Sequence, residues 1–328
     1  MGSPLKTMAV AAVVASMALS ACSTGTPASG NSSSAAGSGG QKTIAIISKG
    51  FQQQFWQAVK KGAEQEAKAQ GVSVTFDGPA SEKEVDAQIT MLTNTIAKKP
   101  SAIAFAALDS KAAAAPLAQI KSQQIPLVAF DSGVDSDLPV TTAATDNKAA
   151  AGEAAKRMCQ LLGGKGKVGV VVHDQVSKTG QDRRDGFLEG MKANCPGVTV
   201  LDPQYGDGDQ AKSADIAKSI IAAHPDLTGF FGANEGSAIG VVKGVQESKK
   251  TGLTIVGFDS GKAQVDAIKS GLMAGAVTQD PVGMGAATVK AAVQAINKQS
   301  LPKTIDTGYY WYDKSNLDEP KIKSALYD

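Results

Sequence analysis

Large aromatic rings and bare amides lie side by side in the segment SKGFQQQFWQAVKKGAEQEA, residues 48–67. Phe55 and Trp56 would suit an apolar core, whereas Gln53 beside them would suit solvent. A ligand that is both apolar and rich in hydroxyl groups can contact both kinds of side chain, since an amide donates and accepts hydrogen bonds. The pattern therefore indicates binding chemistry at this junction.

Carboxylates at the ends of apolar runs offer a second kind of chemistry. Asp131 follows IPLVAF and Asp259 ends LTIVGFD. Two such acids could act as a general acid and base, so a lipid-anchored secreted hydrolase using strand-end carboxylates is the alternative function. Sequence alone fixes no distance between them.

Other catalytic and cofactor motifs are missing from the sequence. It contains no GxSxG, HExxH, CxxC or complete phosphate-binding loop, and GGKGK at 163–167 is better interpreted as a helix end and turn. The two histidines, His173 and His224, are too far apart in sequence to indicate a zinc site. His173 ends a strand, and a histidine satisfied within its loop is favoured over a ligand contact. We expect no metal and no cofactor.

Short apolar runs alternate with helical patterns along the chain, and this rhythm restarts once. The strand-like runs are 44–47, 72–76, 103–105 and 127–130, and then 168–172, 198–201, 227–231 and 255–258. Two successive sets of strand–helix units predict an α/β fold with two doubly wound parallel sheets. Ligands of such sheets bind at the carboxyl ends of the strands, which is where residues 48–56 lie.

The first residues indicate export. Lys6 precedes an apolar stretch at 8–19 that is too short to span a bilayer, and Leu19-Ser20-Ala21-Cys22 resembles a lipobox. We interpret 1–22 as a lipoprotein signal peptide, in preference to an ordinary signal peptide with a chance cysteine, and 23–41 as a disordered Ser/Gly tether. The mature protein is then extracytoplasmic and anchored to the membrane through a lipid on Cys22, at the cell surface or in the periplasm.

Composition narrows the class of protein. Residues 42–328 exceed what one small core usually serves, so two lobes are expected. The chain carries 33 basic and 31 acidic residues, a net charge of +2, and no basic patch stands out, which argues against a nucleic-acid partner. Cys159 and Cys195 would meet an oxidising compartment, where a disulfide is favoured and two buried free thiols are the alternative.

The polar residues at the strand ends form a recognisable pattern across the chain. Its most specific parts are TAATDN (142–147), AAHPDLTGFFGANE (222–235) and IVGFDSG (255–261). The pattern resembles the ribose-binding family of periplasmic sugar-binding proteins, the receptors of ABC importers, from about residue 42 to at least residue 299. The resemblance implies a type I periplasmic binding protein fold, in which two lobes joined by a three-segment hinge close on the ligand.

The resemblance also implies the positions of the lobes. It places the three crossovers near Thr145, Gln279 and Thr307. Lobe one would hold 42–145 and 278–307, and lobe two would hold 146–277 and 308–328. Both Cys159 and Cys195 would then lie in lobe two, so a disulfide between them would leave the hinge free.

Roles for individual side chains follow from the same resemblance. Phe55 and Trp56 match an aromatic pair that packs on the C–H face of a sugar, and for Phe55 a contact with the core is the alternative. Gln53 matches a hydroxyl-binding asparagine, with a solvated loop amide as the alternative. The other matching ligand positions are Asp131, Thr145, Asn234, Asp259 and Gln279. Helix capping or turn formation is the alternative for Asp131 and Asp259, and a backbone hydrogen bond for Thr145.

Two positions depart from the ribose binders of this family. Ser132 and Gln181 stand where those proteins have arginines, and we assign Arg183, two residues beyond Gln181, a structural role. Neutral groups that both donate and accept suit hydroxyls, so Ser132 and Gln181 are included as ligand positions. The departures favour a neutral polyol or a small sugar other than ribose.

The sequence thus predicts a lipid-anchored solute-binding receptor of an ABC importer. It would bind a small neutral sugar or polyol between two lobes, act as a monomer, deliver the ligand to a permease and catalyse no reaction. The regulatory core of a transcription repressor has a related fold, but the export signal and the missing DNA-binding headpiece argue against that class.

Overall fold

Alternating strands and helices occupy the chain from its first strand onward. The computed structural model describes residues 2, 41–51 and 53–327. The predicted signal peptide, Cys22 and nearly all of the tether lie outside these residues. Within the part described, no helix is long and apolar enough to cross a membrane.

The first set of units builds one sheet. In chain order it contains β1 (Thr43–Ile47), α1 (Gln54–Gln70), β2 (Ser73–Asp77), α2 (Val85–Ala97), β3 (Ala102–Phe105), α3 (Ala114–Ser122), β4 (Leu127–Phe130) and β5 (Thr141–Ala144).

The second set builds another sheet. It contains α4 (Asn147–Leu161), β6 (Gly166–Val172), α5 (Lys178–Asn194), β7 (Val198–Val200), β8 (Gln204–Tyr205), α6 (Gln210–Ala223), β9 (Gly229–Gly232), α7 (Glu235–Glu247), β10 (Thr254–Phe258), α8 (Lys262–Lys269) and β11 (Gly275–Gln279). The chain ends with α9 (Pro281–Ile296), β12 (Thr304–Asp306), β13 (Tyr309–Asp313) and α10 (Pro320–Lys323).

The two sheets repeat the same strand order. The first runs β12-β5-β4-β3-β1-β2 and the second β13-β11-β10-β9-β6-β7, with β8 paired to β6. All pairings are parallel except that of β13 with β11, which is antiparallel. In each sheet the order reverses beside its first strand, and the crevice at such a reversal is where ligands bind.

Helices cover both faces of each sheet. On the first sheet, Ile44 and Ile46 pack toward α1 and α9, while Ile47 and Phe105 pack toward α2 and α3. The second sheet is covered by α4 and α5 on one face and by α6, α7 and α8 on the other. Strands buried on both faces read as continuous apolar runs, so the sequence showed them clearly. The predicted α/β fold with two doubly wound sheets is confirmed.

We call the first sheet with α1, α2, α3 and α9 lobe one, and the second sheet with the remaining helices lobe two. The chain passes between them after β5, after β11 and between β12 and β13. At the first and third crossings, Thr145 Oγ1 donates to the carbonyl of Gly308 at 3.1 Å, and Thr307 N–H donates to the carbonyl of Ala144 at 3.1 Å. Residues 40–328 form one compact unit.

Candidate ligand-binding cleft

A narrow cleft between the carboxyl ends of the two sheets is lined by twelve described residues. Lobe one contributes Lys49, Gln53, Phe55, Trp56, Glu82 and Asp131, and lobe two contributes His173, Thr179, Arg183, Asn234, Asp259 and Gln279. With the lobes in these positions, the free space among these side chains is small. The arrangement therefore suits only a small ligand.

The start of α1 supplies the apolar wall. Gln53 is the extended N-cap of this helix and makes no capping hydrogen bond with its side chain. The rings of Phe55 and Trp56 meet edge to face at 4.9 Å between centroids, and both are buried. The Trp56 indole N–H donates to Glu82 Oε1 at 2.8 Å. A large apolar ring and a carboxylate are thus held at the same wall.

Asp131 supplies a carboxylate to which no described residue donates a hydrogen bond. It follows β4 with a left-handed backbone, φ 52°, and is 5% exposed. None of the described residues donates a hydrogen bond to its side chain, and burial raises its pKa to about 6, although the charges of Lys49 and Arg183 act in the opposite direction. A buried carboxylate in a strained backbone and without donors is the arrangement expected of a ligand-binding group.

Asp259, at the end of β10, is held by lobe two itself. Its Oδ1 accepts from Gln279 Nε2 at 2.7 Å and its Oδ2 accepts the backbone N–H of Glu235 at 2.9 Å. The Gln279 Oε1 atom is buried and has no partner among the described residues. Asp259 is therefore fixed in orientation, and Gln279 presents a free acceptor.

Arg183 lies on α5 and closes one side of the cleft. Its Nε donates to Asn147 Oδ1 at 2.7 Å and its Nη1 to the carbonyl of Ala233 at 2.9 Å. The guanidinium lies 3.8 Å from the ring centroid of Phe258, and Nη1 is 3.7 Å from Asp259 Oδ2. The side chain is 3% exposed, so its position is set by the protein before any ligand arrives.

A lysine of lobe one enters a polar cluster of lobe two. Lys49 is buried and donates to Thr179 Oγ1 at 3.2 Å and to Ser177 Oγ at 3.4 Å, with Asp174 Oδ2 at 3.7 Å. His173 Nε2 lies 3.1 Å from the same Thr179 hydroxyl. An ammonium ion buried this far requires these partners, so the cluster ties the two lobes together.

A further contact and a close approach of the backbone bring the two lobes together beside the cleft. Asn234 caps α7 through Oδ1, which accepts from Ser237 N–H at 2.8 Å, and its Nδ2 faces Glu82 Oε2 at 3.5 Å. Gly208, between β8 and α6, has φ 64°, and a Cβ there would lie 2.9 Å from Glu82 Oε2. The structure is therefore that of the closed cleft.

The structure brings most of the predicted ligand positions together and leaves three elsewhere. The positions in the cleft wall are Gln53, Phe55, Trp56, Asp131, Asn234, Asp259 and Gln279. Ser132 is buried with an unpartnered Oγ outside the cleft lining, since the turn at Asp131 directs the chain back toward Ala107. Thr145 bonds the backbone of Gly308, as described above.

Gln181 and Arg183 exchange the roles that the sequence suggested. Gln181 is half-buried and donates to the carbonyl of Val176 at 3.2 Å, whereas Arg183 lines the cleft. At about 100° per residue, two helical positions differ by about 200° around the axis, so only one of the pair can face the ligand. One of the two guanidinium groups thought to be missing is therefore present.

Sequence reasoning missed three other cleft residues: Lys49, Glu82 and Thr179. Lys49 comes two residues after β1 and Glu82 follows β2, so position at a strand end was a usable signal. Lysine and glutamate at such positions are usually solvated, and here the opposite lobe makes the difference. His173 was expected to be satisfied within its loop, yet its Nδ1 is buried without a partner among the described residues.

The remaining predicted features concern stability and metals. Cys159 and Cys195 are joined by a disulfide, and both lie in lobe two, at the ends of α4 and α5. Among the described residues, no group of three or more His, Cys, Asp or Glu side chains is arranged to hold a metal ion.

Comparison with known proteins agrees with this architecture. The family described as periplasmic binding protein domain matches residues 44–300, and the chain belongs to this family. The D-allose-binding periplasmic protein of Escherichia coli (strain K12) is 30% identical over 260 residues, which are 76% of this chain and 83% of that protein. The predicted kinship with periplasmic sugar-binding proteins is confirmed, and membership implies an extracytoplasmic location.

Solved structures resemble the chain over most of its length. An ABC transporter solute-binding protein from Agrobacterium vitis with bound D-fucose superposes with a TM-score of 0.84 at 33% identity, over 87% of this chain and 100% of that one. Another from the same organism, bound with α-D-tagatopyranose, gives a TM-score of 0.85 at 33% identity, over 88% of this chain and 100% of that one. These relatives are transport binding proteins and not enzymes, so the hydrolase alternative has no support.

Proposed function

We propose that this chain is the solute-binding receptor of an ABC importer, and that it binds a small neutral sugar or polyol between its two lobes. The observation that carries the proposal is the buried Asp131 carboxylate, for which no described residue provides a donor. Hydroxyl groups can supply the missing donors, and hydrogen bonds to a charged group contribute ~1.5–3 kcal/mol each.

The charges of the cleft support a neutral ligand. Lys49 already faces Asp174, and Arg183 already faces Asp259. Asp131 and Glu82 add negative charge to the wall. An anionic ligand would meet these carboxylates in a site with little water, where like charges repel strongly.

The geometry also supports a ligand with an apolar face. The Phe55 and Trp56 rings form one wall, and Asp259, Asn234 and Gln279 face it from lobe two. A sugar carries C–H groups on one face and hydroxyls around its edge, which matches a ring opposite carboxylates and amides. The bound D-fucose and D-tagatose of the A. vitis proteins are ligands of this class.

The proposal also includes a wider role, which the sequence features and the family membership support. Attachment through a lipid on Cys22, delivery to a permease and action as a monomer are parts of the proposal. Of the two positions where the ribose binders have arginines, only Ser132 remains a departure, because Arg183 lines the cleft. A neutral polyol therefore stays in the proposed ligand class beside small sugars.

Calorimetric titration of the purified protein with D-allose, D-fucose, D-tagatose, D-ribose and the pentitols tests the proposal, with gluconate as the anionic control. We expect at least one neutral compound to bind in the micromolar range or tighter and gluconate not to bind. The bound compound should be recovered intact by mass spectrometry. Preferential binding of gluconate, or release of a hydrolysed product, would contradict the proposal.

Membrane attachment is tested separately in the native host. The Cys22→Ala variant should leave the membrane fraction, because the lipid would then be missing. Retention of that variant in the membrane would contradict the anchor without affecting the ligand proposal.

A further inference from the structure

His173 carries a ring nitrogen for which the described residues provide no partner. The residue directly follows β6, lines the cleft and is 2% exposed, and the nitrogen in question is Nδ1. A buried polar atom without a partner costs free energy unless something else satisfies it. Whether this atom donates or accepts is decided by the hydrogen bonds of the other nitrogen.

The positions of the protons can be followed from Asp174. Burial opposes its ionisation, but the charge of Lys49 and the hydrogen bonds from Ser177 favour the carboxylate and keep its pKa below the usual range. The ionised carboxylate only accepts, so the Ser177 hydroxyl donates to Asp174 Oδ2, at 2.7 Å. The single hydroxyl proton of Ser177 is therefore used in the hydrogen bond to Asp174.

The lone pairs of Ser177 are committed as well. Its oxygen accepts the backbone N–H of Gly180 at 3.1 Å and an N–H of Lys49 at 3.4 Å. A hydroxyl oxygen has two acceptor lone pairs, so Ser177 has none left for the Thr179 hydroxyl, although the two oxygens are 3.2 Å apart.

The hydroxyl proton of Thr179 has one remaining hydrogen-bond acceptor. Lys49 donates to Thr179 Oγ1 at 3.2 Å, and Oγ1 lies 3.1 Å from His173 Nε2. Thr179 therefore donates to Nε2, which makes Nε2 the acceptor of the imidazole. A neutral ring then carries its proton on Nδ1.

The surroundings keep the ring neutral. Burial lowers the pKa of His173, the charges of Lys49 and Arg183 lower it further, and Asp174 opposes them to a smaller extent. A second proton would add a third positive charge to a wall that already holds Lys49 and Arg183. His173 is thus a neutral donor of one hydrogen bond.

We propose that His173 is a ligand-recognition residue, which donates its Nδ1–H to an oxygen of the bound sugar or polyol in a tautomer fixed by Lys49 and Thr179. Gln279 Oε1, the other unpartnered atom on this wall, accepts from a hydroxyl of the same ligand. Lobe two therefore selects a compound with both an accepting oxygen and a donating hydroxyl. The inference rests on the proposed function and specifies how this wall of the cleft reads the ligand.

Lobe closure takes part in this selection. Lys49 belongs to lobe one, whereas Asp174, Ser177, Thr179 and His173 all belong to lobe two. Only the closed form brings the ammonium to the two hydroxyls and directs the Thr179 proton to the imidazole. The donor is therefore fixed when the ligand is enclosed.

Nitrogen-15 NMR of the imidazole rings tests the tautomer directly. The chain has only two histidines, so the His224→Gln variant assigns the His173 signals. In protein saturated with whichever of D-allose, D-fucose and D-tagatose binds most tightly, we expect a protonated Nδ1 and an unprotonated Nε2 at pH 7. A protonated Nε2 in that complex would overturn the inference.

Two variants test the role in binding. His173→Leu should weaken binding of the same sugar by ~10- to 100-fold, the range for removing one partner of a buried hydrogen bond. Thr179→Val keeps the shape but removes the donor to Nε2, so it should shift the ring toward the other tautomer, which a merely structural role would not do. Unchanged affinity in His173→Leu, with the fold retained, would contradict the inference.

Wild type and variant together separate failure of the inference from failure of the proposed function. If no neutral compound binds the wild type, the proposed function fails. If a neutral compound binds the wild type and binds the folded His173→Leu protein as tightly, the proposed function stands and the inference fails.

Discussion

Glu235 in lobe two accepts a hydrogen bond from the backbone N–H of Phe55 in lobe one, with 3.1 Å between Oε2 and the nitrogen. Its Oε1 accepts the N–H of Gln54 at 3.0 Å. In return, the Gln54 side chain accepts the N–H of Lys262 at the start of α8, at 2.7 Å. The N-cap residues of α1 and α8 are Gln53 and Gly261, and neither provides a side-chain capping hydrogen bond to its own helix. Each lobe thus caps a helix of the other, and the closed form gains these bonds.

The capping contact predicts that a residue outside the cleft lining controls affinity. Glu235→Ala leaves the first N–H groups of α1 without an acceptor when the lobes close. Because losing a cap costs about 1–2 kcal/mol, we expect ligand affinity to fall by ~5- to 30-fold in calorimetry. Glu189→Ala, a surface residue paired with Lys148, is the matched control and should bind normally. Equal affinity of the two variants would refute the contribution of the cap.

The pKa of Glu235 also predicts that the protein takes up a proton when the two lobes close. Burial in the closed form raises its pKa to about 7 from an ordinary 4.5, against the hydrogen bonds from Gln54 and Phe55. When the lobes open, solvent returns to Glu235 and its pKa is lower than in the closed form. Between pH 4.5 and about 7 the closed form therefore binds more protons than the open form. Closure is favoured as the pH falls through this window.

Calorimetry at pH 6 in buffers of different ionisation enthalpy measures this uptake. Binding to the wild type should take up more protons than binding to Glu235→Gln, by up to about one proton per molecule. The variant keeps the size of the side chain but cannot titrate. Identical proton uptake by the two proteins would exclude Glu235 as its source.

The close approach of Gly208 to Glu82 predicts that a side chain at position 208 would hinder closure of the two lobes. A Cβ at this position would lie 2.9 Å from Glu82 Oε2, 3.2 Å from Gln53 Nε2 and 3.3 Å from Asn234 Nδ2. Gly208→Ala should therefore force the Glu82 carboxylate to shift when the lobes close, and ligand affinity should fall in calorimetry.

Gly252→Ala is the control for the backbone strain in that variant. Gly252 has a similar φ of 76°, and a Cβ there would meet none of the described residues within 4 Å. Both substitutions should cost about 1 kcal/mol or more of stability through the left-handed backbone. A parallel loss of affinity in both would mean that strain, and not contact across the cleft, is responsible.

The disulfide predicts a change in stability without a change in binding. Cys159 and Cys195 are 36 residues apart, and closing a loop of that length stabilises a fold by about 4 kcal/mol in the chain-entropy description. The double serine variant should unfold at lower denaturant concentration while sugar affinity stays within twofold, since both cysteines lie in lobe two. A large loss of affinity in the folded variant would mean that the bond also affects the cleft.

The sequence predicted the sheets well because their strands are buried on both faces. Ile44 to Ile47 and Leu127 to Phe130 read as uninterrupted apolar runs. The strands β5, β8, β11, β12 and β13 were not among the predicted runs. Of these, Thr304–Asp306 and Tyr309–Asp313 are short segments at the sheet edges and lack the continuous burial of the central strands. Asp131 and Asp259 could be placed at the cleft because each directly follows a strand.

Lys49 and Arg183 show where sequence reasoning reached its limit. The burial of Lys49 depends on the hydroxyls of Ser177 and Thr179, which come more than 120 residues later, and no local pattern reports such a contact. Arg183 was missed because an assignment two residues away reverses the helix face. Both errors concern the three-dimensional arrangement of the residues, which the residue types alone do not indicate.

The central claim is that a neutral polyhydroxy ligand donates hydrogen bonds to the Asp131 carboxylate, which has no donor among the described residues. Calorimetric titration of Asp131→Asn with the sugar that binds the wild type most tightly is its most direct test. We predict a loss of affinity of ~10- to 150-fold, corresponding to ~1.5–3 kcal/mol. The unliganded variant should unfold at the same temperature as the wild type or a higher one, because burial opposes the charge more than Lys49 and Arg183 favour it. Wild-type affinity in a folded Asp131→Asn protein would contradict the account.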